Sequence, residues 1–172
     1  MKQTKRITVM AMLLALGLVL PYAFHGIPKG GMLFSPLHMP ALIGGLVLGP
    51  MEGAIVGVLC PILNSMITGM PQGNTLIAMC FELPVYAIVT GIMMRVLKEK
   101  KDGVKIYASL IIAMVLGRVA GGMIQAIILG LGNYSLKMWA TAYFVSTFPG
   151  ILMHLLVIPP VCIALKKAGI AC

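Results

Sequence analysis

The chain has 172 residues, of which 60% are hydrophobic and only 10% are charged, and its mean hydropathy is +1.03. Four acidic residues against thirteen basic ones leave too few charged groups to solvate the surface of a soluble domain. This composition excludes a soluble globular enzyme, a disordered tail and a secreted disulfide scaffold, and it indicates a protein of the lipid bilayer. The formal net charge of +9 then indicates basic cytoplasmic loops rather than nucleic acid binding.

Six apolar segments run along the chain, separated by turns rich in glycine, proline or charge. They predict transmembrane helices over about residues 7–24, 37–50, 53–70, 75–97, 105–131 and 139–165. The second segment is too short to cross a bilayer of about 30 Å unless it borrows residues from the loop before it. We expect an all-α integral membrane protein with six transmembrane helices in one domain, residues 1–172.

Lysine and arginine are unequally divided between the two ends of the predicted helices. With the N-terminus inside, ten of them lie at cytoplasmic ends and only two, Lys29 and Lys137, at outer ends. The ten are Lys2, Lys5, Arg6, Arg95, Lys98, Lys100, Lys101, Lys105, Lys166 and Lys167. This bias predicts that both termini are cytoplasmic, because basic residues are retained on that side of the membrane.

The segment 25–38 follows the first predicted helix and faces outward in this topology. It is rich in glycine and proline, which predicts irregular backbone. It also carries large apolar side chains, among them Phe34, which a solvated linker would not need. We therefore expect it to fold back over the helices as an outer lid loop.

Two charged residues, Glu82 and Arg118, fall inside predicted spans, where burying a charge is costly and usually serves a function. Glu82 is about 12 Å below the outer end of its span, given the rise of a helix. Helical spacing places further polar and aromatic residues on faces that point to a shared interior. The candidate substrate-binding residues are Asn64, Glu82, Tyr86, Arg118, Gln125, Tyr143, Thr147 and His154, with Phe34 and His38 from the lid loop.

Two interpretations of these residues are open. In one, Glu82 and Arg118 form an ion pair that only holds the bundle together. In the other, the residues line a pocket open to the outside, where Arg118 offers a fork of donors to a carboxylate or phosphate. Gln125 would add a hydrogen bond, and Tyr86 or Tyr143 a stacking face. The chain has no P-loop and no H-E-x-x-H motif, so we expect no catalytic residues, no metal and no cofactor of its own.

Short motifs in a fixed order along the chain add to this topology. They are Ala11-Met-Leu-Leu-Ala15, Leu37-His-Met-Pro-Ala41 with Gly44-Gly45, Gly49-Pro50, Glu82-Leu-Pro-Val-Tyr86 and Gly117-Arg-Val-Ala-Gly121. With six spans in 172 residues, this set resembles the substrate-binding (S) components of energy-coupling factor (ECF) vitamin transporters. The pattern is most similar to the broad group that includes pantothenate and cobalamin S components.

The resemblance implies a transporter subunit that binds a micronutrient and is not an enzyme. It implies capture of a vitamin at the outer face of a prokaryotic plasma membrane. Its partners would be a transmembrane coupling subunit and two cytoplasmic ATPase subunits, and those partners would use the ATP. Ala11 and Ala15 match the A-x-x-x-A motif through which S components dock on the coupling subunit. Small residues at this spacing let helices approach closely.

Pantothenate is the expected substrate, since an interior Arg118 favours an anionic or polar ligand. Cobalamin, pyridoxine-type vitamers, folate, riboflavin and queuosine precursors are the alternatives. Lys2 stands where nickel and cobalt S components have a histidine, and a single tryptophan argues against a thiamin site. The alternative class is a small membrane enzyme, or a structural subunit of another membrane complex, with Glu82, Arg118 and His154 as a catalytic or packing cluster.

Overall fold

The structure is a computed structural model that describes residues 3–24, 26–130 and 133–170, and within these ranges it is helical, without β-strands. The helices are α1 (Gln3–Val19), α2 (Gly30–Phe34), α3 (His38–Leu48), α4 (Pro50–Thr68), α5 (Gly73–Val96), α6 (Asp102–Leu129), α7 (Leu136–Ala140) and α8 (Phe148–Lys167). A 3₁₀ segment, Leu20–Phe24, extends α1, and a π-helical segment, Thr141–Val145, follows α7.

Six helical stretches of the described chain are long and apolar enough to cross a membrane. They are Gln3–Phe24, Gly30–Leu48, Pro50–Thr68, Gly73–Val96, Asp102–Leu129 and Phe148–Lys167. The prediction of an all-α protein with six membrane-spanning helices is confirmed.

The predicted lid loop is only partly irregular. Residues Gly30–Phe34 form α2, so the second span consists of two helices and not of the single segment 37–50. Together Gly30–Leu48 covers 19 residues, which supplies the length that the 11 residues of α3 lack on their own. Residues 25 and 131, which bound the predicted lid loop and the predicted fifth span, lie outside the described residues.

The sixth span also differs from the predicted segment 139–165. Helix α8 begins only at Phe148, and the residues before it form α7 and the π-helical segment. Pro149 lies in the first turn of α8. A proline is tolerated there because the first turn of a helix needs no N–H donor, so its presence favours a new helix start.

Helix α3 is the centre of the bundle, and every residue from His38 to Leu48 is buried. Helices α1, α4, α5 and α8 pack around it. Glycines permit the closest crossings. A Cβ added at Gly45 would overlap the Thr90 side chain and the Ala87 carbonyl of α5, and one at Gly53 would lie 2.5 Å from the backbone nitrogen of Gly45. Small residues at such crossings favour helix association in lipid, where no hydrophobic effect drives it.

Contacts between helix ends gather the basic residues at one end of the bundle. This basic end comprises the start of α1, the α3–α4 turn, the α5–α6 turn and the end of α8. There Lys5 Nζ donates to the carbonyl of Gly169 at 2.7 Å, and Lys166 Nζ donates to Asp102 Oδ1 at 2.6 Å. The opposite end, here called the cavity end, comprises the 3₁₀ segment, the lid segment 26–37, the α4–α5 turn and the residues between α6 and α8.

We predict that Gly45→Ala destabilises the bundle, because the added methyl group has to push α3 away from α5. Overpacking of this kind lowers the free energy of unfolding by about 1–3 kcal/mol. The control is Gly103→Ala in the first turn of α6, where an added Cβ meets nothing within 4 Å. Thermal unfolding in detergent should show a lower midpoint for Gly45→Ala only, and equal midpoints would contradict this account of the crossing.

Candidate functional site

The cavity end contains a cavity of about 780 Å³, bounded by the lid segment, the α4–α5 turn, α5, α6 and the π-helical segment. This volume lies within the range of small-molecule sites, roughly 300–1,000 Å³. Its wall is mostly apolar, with a limited number of polar side chains that converge from different helices. Such a composition is typical of a binding pocket.

Glu82 lies in the wall of this cavity and is only 4% exposed. Two side chains from different helices approach the same carboxylate oxygen. The Tyr86 hydroxyl, one turn along α5, donates to Glu82 Oε1 at 2.5 Å, and His38 Nε2 at the start of α3 lies 3.4 Å from that oxygen. These partners offset the desolvation of a carboxylate that lies inside the bundle.

A glycine of α6 provides the space that Glu82 occupies. A Cβ at Gly121 would lie 2.8 Å from Glu82 Oε2 and 3.0 Å from the Tyr143 hydroxyl oxygen. The two polar atoms therefore approach the same point of the α6 surface. The pKa of the Tyr134 hydroxyl is raised above its usual value, first because the residue is partly buried and then because of the negative charge of Glu82.

Arg118 is 3% exposed and lies in the cavity wall three residues before Gly121. Its Nη2 donates to Thr147 Oγ1 at 3.4 Å, and its guanidinium carbon lies 5.6 Å from the centre of the Phe144 ring. The indole of Trp139 donates to the Arg118 backbone carbonyl at 3.0 Å. These contacts fix the position of the arginine, and within the described part of the chain no acidic side chain pairs with it.

The proposed Glu82–Arg118 ion pair does not form. Among the residues that the structure describes, no carboxylate oxygen lies within 4.0 Å of the Arg118 guanidinium. The carboxylate is held by Tyr86 and His38 instead. The interpretation of the two charges as a purely structural pair is therefore wrong.

Seven of the ten predicted substrate-binding residues line the cavity. They are His38, Asn64, Glu82, Arg118, Gln125, Tyr143 and Thr147. The amide of Asn64 is already used, because its Nδ2 donates to the carbonyl of Gly17 at 2.7 Å. The side chains of Gln125, Tyr143 and Thr147 contribute further polar groups to the wall.

The other three predicted residues lie behind the cavity wall. Tyr86 is fully buried beneath Glu82. His154 is buried against His38, with ring centroids 6.1 Å apart, and its Nε2 has no hydrogen-bond partner among the described residues. Phe34 stacks on Phe24, with ring centroids 4.8 Å apart, and this contact holds α2 against the end of the first span.

Several residues of the wall are not predicted by the sequence. Lys29, in the predicted lid loop, lines the cavity. Gln72, in a turn marked only by its glycine and proline neighbours, and Phe24, at the end of the first predicted helix, line it as well. Their positions depend on how the lid segment and the α4–α5 turn fold over the bundle, which local sequence does not encode.

The geometry agrees with a comparison to known families. The family model described as "ECF transporter, substrate-specific component" matches residues 5–162 of the chain. No curated protein and no solved structure was found to match. The match covers nearly the whole chain and favours a transporter subunit over a membrane enzyme.

We predict that Tyr86→Phe lowers stability, because it removes a donor to a buried carboxylate and leaves the packing unchanged. Hydrogen bonds to charged groups contribute about 1.5–3 kcal/mol. The control is Tyr107→Phe on α6, where the residue is 43% exposed. Thermal unfolding in detergent should give a lower midpoint for Tyr86→Phe only. Equal midpoints would show that the Tyr86 hydroxyl does not stabilise Glu82.

Proposed function

Because the chain belongs to the family of substrate-specific components of ECF transporters, we propose that it captures a vitamin in the cavity and delivers it to an ATP-driven module. The family consists of transporter subunits that bind substrate and are not enzymes, and the chain is accordingly a multi-pass membrane protein. The observation that carries the proposal is the cavity itself, in which Arg118 is buried without a protein carboxylate in the described chain.

The proposed orientation places the basic end in the cytoplasm and the cavity end outside. The contacts of Lys5 with Gly169 and of Lys166 with Asp102 support this, because they bring the basic helix ends to one side of the bundle. Basic residues favour the cytoplasmic side. The cavity would then open to the outside of a prokaryotic plasma membrane, where a scarce nutrient is captured.

The proposed substrate is pantothenate. A buried guanidinium without a carboxylate partner favours a ligand that carries an anionic group, since an unpaired buried charge is unfavourable. The cavity volume also favours the smaller vitamins among the alternatives. Cobalamin, pyridoxine-type vitamers, folate, riboflavin and queuosine precursors are the competing substrates.

The proposed docking surface lies on α1. Ala11 and Ala15 are both exposed, and so are the neighbouring side chains of Met12 and Leu16. Helix α1 packs on α3 and α4, and its buried residues are Val9, Leu13 and Gly17. The exposed face has small residues at the spacing that lets a partner helix approach closely. Its partners would be a transmembrane coupling subunit and two ATPase subunits, which would use the ATP; the chain itself would need no cofactor.

We predict that Arg118→Met weakens pantothenate binding far more than Gln125→Ala does. Hydrogen bonds to a charged group contribute about 1.5–3 kcal/mol, against about 0.5–1.5 kcal/mol for neutral ones. Calorimetry on the purified chain gives both affinities, and thermal unfolding shows whether the variants are folded. Equal losses of affinity in two folded variants would remove Arg118 from ligand binding.

We predict that replacing both Ala11 and Ala15 with tryptophan abolishes uptake by the assembled transporter and leaves ligand binding intact. The bulky side chains would separate α1 from its partner helix. A suitable control is Ala164→Trp, at an exposed alanine of α8. Uptake is measured in cells that express the chain with coupling and ATPase subunits. Normal uptake by the double variant would show that α1 is not the docking surface.

A further inference from the structure

Within the described residues, only one of the two oxygens of the Glu82 carboxylate has hydrogen-bond partners. Tyr86 and His38 both approach Oε1, and within the described ranges no side chain or backbone group donates a hydrogen bond to Oε2. The residue is 4% exposed and lies in the cavity wall. A carboxylate oxygen at a cavity wall without a donor from these residues favours a donor from a molecule in the cavity.

The surroundings of Oε2 restrict what that molecule can present. Gly121 carries no side chain, and Glu82 Oε2 and the Tyr143 hydroxyl oxygen both approach the place that a Cβ would take there, at 2.8 and 3.0 Å. The two oxygens are therefore close enough for one ligand group to contact both, an acceptor on Glu82 and a hydroxyl that can donate on Tyr143. A hydroxyl group satisfies both, because it donates one hydrogen bond and accepts another. An ammonium group or an amide N–H would only donate.

Arg118 lies close to this place on the same helix. It precedes Gly121 by three residues, and side chains at that spacing are neighbours on a helix, about 5–6 Å apart. Its guanidinium lines the same cavity and lacks a carboxylate partner within the described residues. The cavity therefore presents a cationic donor and a carboxylate acceptor, and among the described residues these two groups form no ion pair with each other.

We propose that the cavity selects a hydroxy acid: a small monocarboxylic acid whose carboxylate binds Arg118 and whose hydroxyl group bridges Glu82 and Tyr143. This inference rests on the proposed function and specifies the chemistry of its substrate. A dicarboxylate would place a second anion against Glu82. A neutral or cationic vitamin would leave Arg118 unpaired. Both are disfavoured by the burial of unmatched charge.

The test combines ligand analogues with matched variants of the full chain in detergent. The probes are pantothenate, its alcohol pantothenol, which lacks the carboxylate, and its dideoxy analogue, which lacks both hydroxyl groups. Calorimetry on the unmodified chain should give pantothenate an affinity roughly tenfold or more above that of either analogue. Nicotinate, an acid without a hydroxyl group, should bind as weakly as the dideoxy analogue.

Two variants remove the hydroxyl-binding groups without changing the size of the side chains. Glu82→Gln keeps an acceptor for Tyr86 and loses the charge, and Tyr143→Phe loses only its hydroxyl. Each variant should lower the affinity for pantothenate roughly tenfold and leave the affinity for the dideoxy analogue unchanged. Arg118→Met should instead lower the affinities for both ligands equally. Tyr143 is half-buried, so its variant still reports on the site if Glu82→Gln does not fold.

Several results would overturn the inference. An equal loss of affinity for pantothenate and its dideoxy analogue in both hydroxyl-site variants would show that Glu82 and Tyr143 do not bind the hydroxyl group. Binding of a different vitamin without a hydroxyl group or carboxylate, with none of pantothenate, would overturn this inference and the choice of pantothenate. It would leave standing the proposal that the chain captures a vitamin. If no vitamin binds at all, the proposed function fails together with this inference.

Discussion

Burial of the Glu82 carboxylate is the constraint around which the cavity end is built. An anion inside a lipid-facing bundle needs hydrogen-bond donors, and they come from two helices: Tyr86 of α5 and His38 of α3. The contact joins the central helix to the wall of the cavity. Among the described residues Arg118 forms no ion pair with this carboxylate, and both side chains line the cavity. Both charges can therefore form further hydrogen bonds there. This unused capacity favours a role of Glu82 and Arg118 in ligand binding over a role as a structural ion pair.

Glycines make this arrangement sterically possible. On α6, added methyl groups at Gly117 and Gly122 would overlap the rings of Tyr86 and Trp139, and one at Gly121 would crowd Glu82. The aromatic and acidic side chains therefore lie directly on the helix backbone. Glycines also bring α3 close to α4 and α5, at Gly53 and Gly45. Close packing thus fixes the positions of the polar atoms of the site.

The sequence predicted the class of fold and the charged centre of the site, because six apolar spans and two charges within them are visible without a structure. Tyr86 could be placed beside Glu82, since they are one helical turn apart. The contact between His38 and Glu82 could not, because those residues are 44 positions apart and meet only through the packing of α3. The helix α2 and the late start of α8 were missed for a related reason. Glycine and proline mark breaks in a helix but do not say whether a short helix forms between them.

The assignment of a binding role to the cavity is tested most directly by native mass spectrometry of the chain purified from membranes. The account predicts that the unmodified chain retains one small molecule with the mass of a vitamin that carries a carboxylate, and that Arg118→Met retains much less of it. A chain that carries only lipid, or a variant that keeps the same molecule at the same occupancy, would contradict the central claim that the unpaired Arg118 is a ligand-binding residue.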